Sequence, residues 1–311
     1  MGPLVSIIMP AYNGERFIAE AIQSIINQTY QNWELIIIED CSTDNTVNVI
    51  ESFRDKRIKK FYNKKNAGIT YSTNYGIDHS SGKYIALLDD DDRALEHRLE
   101  WQVDYLENNP QVDVLGGWDI EIDENGDFIK YGTEPIRNPK LIKTYLLFYK
   151  KMFTDCTVMY RRSFINKNDI RYREGYLGMH DLKFYMECSK VGVITSMDRF
   201  LLEKRVHKNQ ETAVQKRDNE SNRAAAFAKM QRESILASGF FLSEEQLNII
   251  NSTLTETVKS VYTEEEWNSL RNVFAELIRQ ARTMNIDYLP ELEFGLKKIL
   301  GDRILPRTSI F

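Results

Sequence analysis

The chain has 311 residues, 42% hydrophobic, 28% charged and 11% aromatic, an ordinary globular composition with room for one large domain or a domain plus an appendage. A net charge of -5 and a pI near 5.6 argue against a nucleic-acid binder, which would present a basic face. The three cysteines, Cys41, Cys156 and Cys188, cannot all pair and have no metal-type spacing, so a reducing cytosol is the expected home.

Leu4 to Met9 is a short, β-rich apolar run that stops at Pro10. Ile18, Ile22 and Ile25 then recur at the period of a helix face. Trp33 to Ile38 predicts a second strand, ending at Glu39-Asp40, and Thr43 or Asp44 can cap a helix over Val47 and Ile50. Arg57 to Tyr62 predicts a weaker third strand, and Tyr71 to His79 a helix. Lys83 to Leu88 reads as a buried strand, Arg93 to Glu107 as a helix, and Val112 to Leu115 as another strand. Strand–helix alternation with nearly all-apolar strands predicts an α/β fold: a largely parallel sheet with helices on both faces. From 120 to 210 the pattern is mixed, with a hairpin around Glu124-Asn125-Gly126, strands over 157–160 and 201–207, and a helix over 181–191. From about 215 onward apolar residues recur only at helical spacing, which predicts an α/β unit over 1–215 and a helical C-terminal region over 216–311.

The chemistry concentrates in Asp89-Asp90-Asp91-Asp92, directly after a strand. Four adjacent carboxylates repel one another unless something binds them. A hard cation such as Mg²⁺ or Mn²⁺, shared with substrate phosphates, is one reading; a solvated acidic turn capping the next helix is the other. The first strand is followed by Pro10-Ala11-Tyr12-Asn13-Gly14, not by Gly-x-Gly-x-x-Gly, which disfavours a dinucleotide cofactor. It also lacks the Gly-rich basic loop of a sugar-phosphate nucleotidyltransferase. Tyr12 can stack on a nucleobase or simply close the sheet edge. Asp40 can accept from a base or ribose, because Ser42, Thr43 and Asp44 are enough to cap the next helix.

Together Val5 to Asn13, Ser24 to Gln28, Glu39 to Asp44, Asn66-Ala67-Gly68 and Gly82 to Asp92 resemble the family-2 glycosyltransferases. So do Thr157 to Arg162, His180-Asp181 and Arg205-Val206-His207, in family order over roughly residues 4–212. The resemblance implies a GT-A (Rossmann-like) fold and inverting, metal-dependent transfer from a nucleotide sugar, UDP-linked in the expected case, to a hydroxyl acceptor. It places the donor nucleotide against Pro10, Ala11, Tyr12, Asn13, Asp40, Asn66, Gly68, Asn74, Asp89 and Asp90. It puts Mn²⁺ or Mg²⁺ on Asp91 and His207, with Asp92 supporting or joining them, and the catalytic base at Asp181. The implied setting is bacterial surface polysaccharide or glycoconjugate synthesis, with a saccharide or lipid-linked saccharide acceptor. The rival reading is an inactive nucleotide-sugar-binding or scaffold protein.

Two departures stand out. Thr73-Asn74 replaces the family's Arg-Asn, leaving Lys65 as a substitute basic contact, and His180 replaces the Glu before the base. Met1 to Ser6 shows no charged segment ahead of a long apolar stretch, and no window approaches the roughly 20 apolar residues of a membrane span. No leader is expected, and any membrane contact is peripheral. The tail from Phe294 to Phe311 carries Lys297, Lys298, Arg303 and Arg307 between apolar residues. It reads as a helix packed on its own domain or on a second subunit; attachment to an anionic membrane surface is the alternative.

Overall fold

The structure is a computed structural model that describes residues 2–132, 134–148, 153–176, 178–211, 213–214, 220–254 and 263–301. The expected boundary at 215 and the tail from 302 onward lie outside the described residues.

Strands β1 (Val5–Ala11), β2 (Trp33–Glu39), β3 (Ile58–Tyr62) and β4 (Tyr84–Leu87) alternate with helices α1 (Ile18–Ile26), α2 (Thr46–Ser52) and α3 (Ile69–Asp78). After them come β5 (Arg93–Ala94), α4 (Arg98–Asn108), β6 (Val114–Ile122), β7 (Phe128–Tyr131) and α5 (Pro139–Leu147). The α/β part closes with β8 (Met159–Arg161), α6 (Arg162–Lys167), α7 (His180–Val191) and β9 (Ile194–Arg205). Helices α8 (Glu220–Ala237), α9 (Glu244–Thr253), α10 (Glu264–Met284) and α11 (Leu289–Gly301) complete the described chain.

One sheet runs in the order β3-β2-β1-β4-β8-β6-β9-β5, with β7 on the side of β6. β1 to β4 pair in parallel, β8 runs antiparallel between β4 and β6, and β9 returns parallel to β6. This is the mostly parallel mixed sheet that the strand–helix alternation predicts.

Burial on both faces explains why the strands are almost uniformly apolar. Val5, Ile7 and Met9 point to one side, onto Ile18, Ile22 and Ile25 of α1, Ile50 of α2, and Leu99, Val103 and Leu106 of α4. Ile8, Ile36 and Ile38 point to the other, where Ile77 of α3 meets them. Gly76 lets α3 lie close here: a Cβ on it would stand 2.5 Å from Ile8 Cγ2. The same apolar cluster continues through Tyr145 and Phe148 of α5's end and Phe184 of α7 to Phe227, Leu270, Phe274 and Leu296 of the C-terminal helices.

Local chemistry fixes several boundaries. Helices α9 and α10 each start on a capping box, Ser243 with Gln246 and Thr263 with Glu266. The helix expected from Arg93 begins later, at Arg98. Residues 93–94 are instead drawn into β5 beside β9, where Arg93 pairs with Glu203 at 2.8 Å and Ala94 N–H donates to Ser24 Oγ. Helix α2 has Asn45 at its N-cap position, not Thr43 or Asp44, and Asp44 Oδ1 accepts from Thr46 N–H just inside it. Helix α5, absent from the expected elements, starts at Pro139 after an Asn138 that accepts from Lys140 and Leu141 N–H. Among the described residues no helix is long and apolar enough to cross a membrane.

Candidate active site

The expected site residues gather where β1, β2, β4 and β9 end, on one edge of the sheet, the side where open α/β sheets bind ligands. β1 ends at Ala11, and the chain turns through Tyr12 and Asn13. Asn13 holds a left-handed backbone (φ 52°) that asparagine tolerates better than most residues. Its N–H donates to Ser42 Oγ at 2.9 Å and its Oδ1 accepts from Thr43 N–H at 2.8 Å, which ties the loop after β1 to the loop after β2. Tyr12 is 47% exposed, and its N–H donates to Asp90 Oδ2 at 3.0 Å. Gly14 lies so near that a Cβ there would stand 2.3 Å from Asp90 Oδ2.

Asp40 is buried and already occupied. Oδ1 accepts from Asn63 Nδ2 and Ala67 N–H, and Oδ2 from Gly68 N–H, at 2.7–2.8 Å. The carboxylate thus shapes the 63–68 loop, which carries exposed Lys65 and Asn66 and ends at Gly68 with φ 87°. Glu39, also buried, accepts from Cys41 and Ser42 N–H in the same way for its own loop. Asn74, expected against the donor, is tied to a distant loop. Both ends of its amide pair with the backbone of Tyr172, 98 residues away, at 2.9 and 3.0 Å. The Tyr172 ring lies 5.9 Å from that of His180.

The acidic run sits on β4's end, largely withdrawn from solvent. Burial first, then the neighbouring Asp91 charge, pushes Asp89 up to about 6. The same two causes push Asp90 and Asp92 well above the usual carboxylate range. Asp92 Oδ1 accepts from Arg205 N–H at 2.9 Å, and Asp91 Oδ2 meets His207 Nε2 at 2.9 Å. Arg205, fully buried, donates from Nε to the Asp91 carbonyl, from Nη1 to the carbonyls of Asp123 and Glu124, and from Nη2 to Glu20 at 2.7 Å.

Asp181 lies in the first turn of α7 and is not its N-cap; Met179 holds that position, and Asp181 Oδ1 accepts from Leu182 N–H at 2.7 Å. Beside it is a residue outside the expected set. Asp155 accepts from Tyr185 Oη, and burial followed by the Asp181 charge pushes it up to about 7. His180 and Asp89 also act on Asp155, so this carboxyl lies between Asp181 and the acidic run. Arg98 is a second such residue. Its guanidinium is fully buried, donates to the carbonyls of Leu87 and Val158, and faces Cys156, Asp92 and Asp155; burial pulls it down to about 10. An Arg four residues before Gln102, on the face that also carries Leu99 and Val103, was the signal in the sequence.

A divalent cation fits this donor set. Carboxylate and imidazole suit Mn²⁺, and carboxylates with water suit Mg²⁺. Asp91 and His207 already converge, and ligand atoms of Asp89, Asp92 and Cys156 lie within 4.8 Å of one another.

The comparisons identify the family and the fold. The model described as "Glycosyl transferase family 2" matches residues 6–168. An uncharacterized glycosyltransferase of Haemophilus influenzae is 38% identical over 242 residues, covering 75% of this chain and 73% of that one. The Escherichia coli WfgD, a UDP-Glc:alpha-D-GlcNAc-diphosphoundecaprenol beta-1,3-glucosyltransferase, is 35% identical over 169 residues, covering 53% of this chain and 66% of that one. Staphylococcus aureus TarS 1-349 in complex with UDP-GlcNAc superposes with a TM-score of 0.64 at 18% identity, over 97% of this chain and 89% of that one. The mannosyltransferase PcManGT of Pyrobaculum calidifontis, in complex with GDP-Man and Mn2+, superposes at 0.57 and 16% identity, over 96% and 81%. At those identities the structures speak for the GT-A fold alone. By its family match and its close relatives, the chain belongs to glycosyltransferase family 2 and is a glycosyltransferase.

Proposed function

We propose that this glycosyltransferase moves a sugar, with inversion, from a UDP-linked donor to a hydroxyl of a saccharide or lipid-linked saccharide, in bacterial surface polysaccharide or glycoconjugate synthesis. One observation carries the reading: a four-carboxylate run is held at a strand end with Asp91 Oδ2 and His207 Nε2 converging to 2.9 Å. Such a constellation is costly unless a cation and a diphosphate complete it.

In this reading the exposed Tyr12 ring stacks on the base, and the loops shaped by Asn13 and Asp40, with Asn66 and Gly68, wall the nucleotide. Asp40 keeps acceptor capacity on Oδ2, which takes a single hydrogen bond from the chain. Asn74 is left out, because its amide is satisfied by Tyr172. Asp89 and Asp90 face the ribose and diphosphate side. Asp91 and His207 would hold Mn²⁺ or Mg²⁺, which supplies charge neutralisation for the leaving diphosphate. Asp181 takes the proton from the attacking hydroxyl, and one attack opposite the leaving group needs only that one base. WfgD's lipid-linked substrate supports the acceptor class, and UDP-Glc and UDP-GlcNAc in the comparisons support the base. The reading puts the enzyme in the cytoplasm, where a lipid-linked acceptor would be met at the inner face of the cell membrane.

The test is a thermal-shift screen of UDP-, GDP- and dTDP-sugars with and without Mn²⁺. A ligand that binds the folded state raises its melting temperature by mass action. A Mn²⁺-dependent rise with UDP-sugars is expected. A rise only with GDP- or dTDP-sugars would overturn the UDP assignment, and equal rises without metal would overturn the metal site.

A further inference from the structure

The segment that carries Asp181 packs on the α/β part through Leu182, Phe184 and Tyr185, and it is held from a second side as well. Gly175 and Gly178 both adopt left-handed backbones, with φ of 86° and 61°, on either side of Tyr176. A Cβ on Gly175 would meet nothing within 4 Å. Two glycines of this kind make the approach to α7 conformationally permissive.

The second hold comes from α8. Glu233 Oε2 accepts from Tyr176 Oη at 2.7 Å, before the base, and from Lys183 Nζ at 2.7 Å, after it. Tyr176 and Lys183 are both 8% exposed, and the Glu233 side chain that joins them is 37% exposed. Lys183 Nζ and Lys229 Nζ also lie over the Tyr176 ring, at 5.1 and 5.2 Å. Arg223 Nη1, on the same helix, donates to the Gly178 carbonyl at 3.1 Å. A single carboxylate of the C-terminal helical region therefore clasps the chain on both sides of Asp181, and an arginine holds it between them.

We infer that Glu233 is a positioning residue for the reaction, holding residues 176–183 so that Asp181 faces the acceptor hydroxyl. The inference rests on Asp181 being the base. Glu233 acts here through Tyr176 and Lys183, not on the reacting groups. Charge-assisted bonds of this kind are short and directional, which is what a positioned base requires.

The experiment compares the full chain with Glu233→Ala, Glu233→Gln and the charge exchange Glu233→Lys/Lys183→Glu. Three readouts are taken: UDP affinity in Mn²⁺ by calorimetry, release of UDP from UDP-glucose or UDP-GlcNAc to water, and hydrogen–deuterium exchange with UDP and Mn²⁺ bound. Attack by water also needs a proton removed, so UDP release reports the base without a known acceptor. For Glu233→Ala the expected result is a 10-fold or larger fall in kcat for UDP release, unchanged UDP affinity, and faster exchange confined to peptides covering 174–183. The charge exchange should restore at least part of the kcat. If Glu233→Ala does not fold, Glu233→Gln, which keeps a neutral acceptor, carries the same test.

A kcat within two-fold of the parent, unchanged exchange over 174–183, or a parallel loss of kcat and UDP affinity would each overturn the inference. Asp181→Asn separates it from the reading beneath it. If Asp181→Asn is inactive and Glu233→Ala is not impaired, the positioning role fails and the base stands. If Asp181→Asn keeps its activity, the base assignment fails on its own evidence.

Discussion

His207 Nε2 and Asp91 Oδ2 meet at 2.9 Å although 116 residues separate them in the chain. Both side chains are mostly enclosed, and the Phe17 ring packs 5.1 Å from the imidazole. One β-strand end thus supplies the carboxylate and another the imidazole. Asp91→Asn and His207→Ala should each abolish the Mn²⁺-dependent part of the thermal shift given by UDP. Calorimetric titration of Mn²⁺ with UDP present checks it, and unaltered metal-dependent binding in both variants would remove these residues from the metal site.

Asp181→Asn keeps the shape of the first turn of α7 and removes the proposed proton acceptor. Transfer should fall by about 10²–10⁴-fold, the usual contribution of general base catalysis, with UDP affinity unchanged. Steady-state rates beside a UDP titration measure both quantities.

Arg205 holds three carbonyls and Glu20 from a fully buried position. Replacing it with Ala leaves the Asp91, Asp123 and Glu124 carbonyls without this donor and opens a cavity. A loss of roughly 3 kcal/mol or more is expected, because unpaired buried polar groups and cavities are among the costliest single changes. Arg205→Lys offers one charge in place of a fork and should recover only part of it. Urea unfolding of the three proteins gives the comparison.

Glu34, on β2, contributes to the acid response of the fold. Burial alone would raise its pKa, yet hydrogen bonds from Lys59, Ser6 and Ser81 outweigh that and hold it at about 2. The folded-state pKa lies below the unfolded value, so the stabilisation is complete above about pH 4.5 and is lost as pH falls toward 2. A depression of this size corresponds to about 3 kcal/mol. Glu34→Gln should be less stable than the parent at pH 7, with a shallower fall in stability between pH 5 and pH 2.5, measured by denaturant melts at each pH.

The strands of the parallel half were legible because double-sided burial leaves an apolar run that little else explains, as in Val5 to Met9 and Leu35 to Ile38. The acidic run was legible because four like charges at a strand end demand a reason. Less visible were residues whose work is done at long range. The pairing of Asn74 with Tyr172 and that of Arg205 with Glu20 span 98 and 185 residues and leave no local pattern. Asp155 reads as one acid in a polar turn until Tyr185 and Asp181 are placed around it. The short strand at Arg93 was hidden by helix-favouring residues and arises only from the edge that β9 offers.

The apolar cluster that begins at Ile8 under the sheet and ends at Leu300 in α11 makes the helical region a share of the main core. A chain truncated after residue 214 would uncover Tyr145 and Phe148, large side chains that Gly295 of α11 and Phe274 of α10 approach. An exposed patch of that kind drives aggregation. The catalytic half is therefore expected to melt together with its helices, in one cooperative transition, and to resist being produced without them.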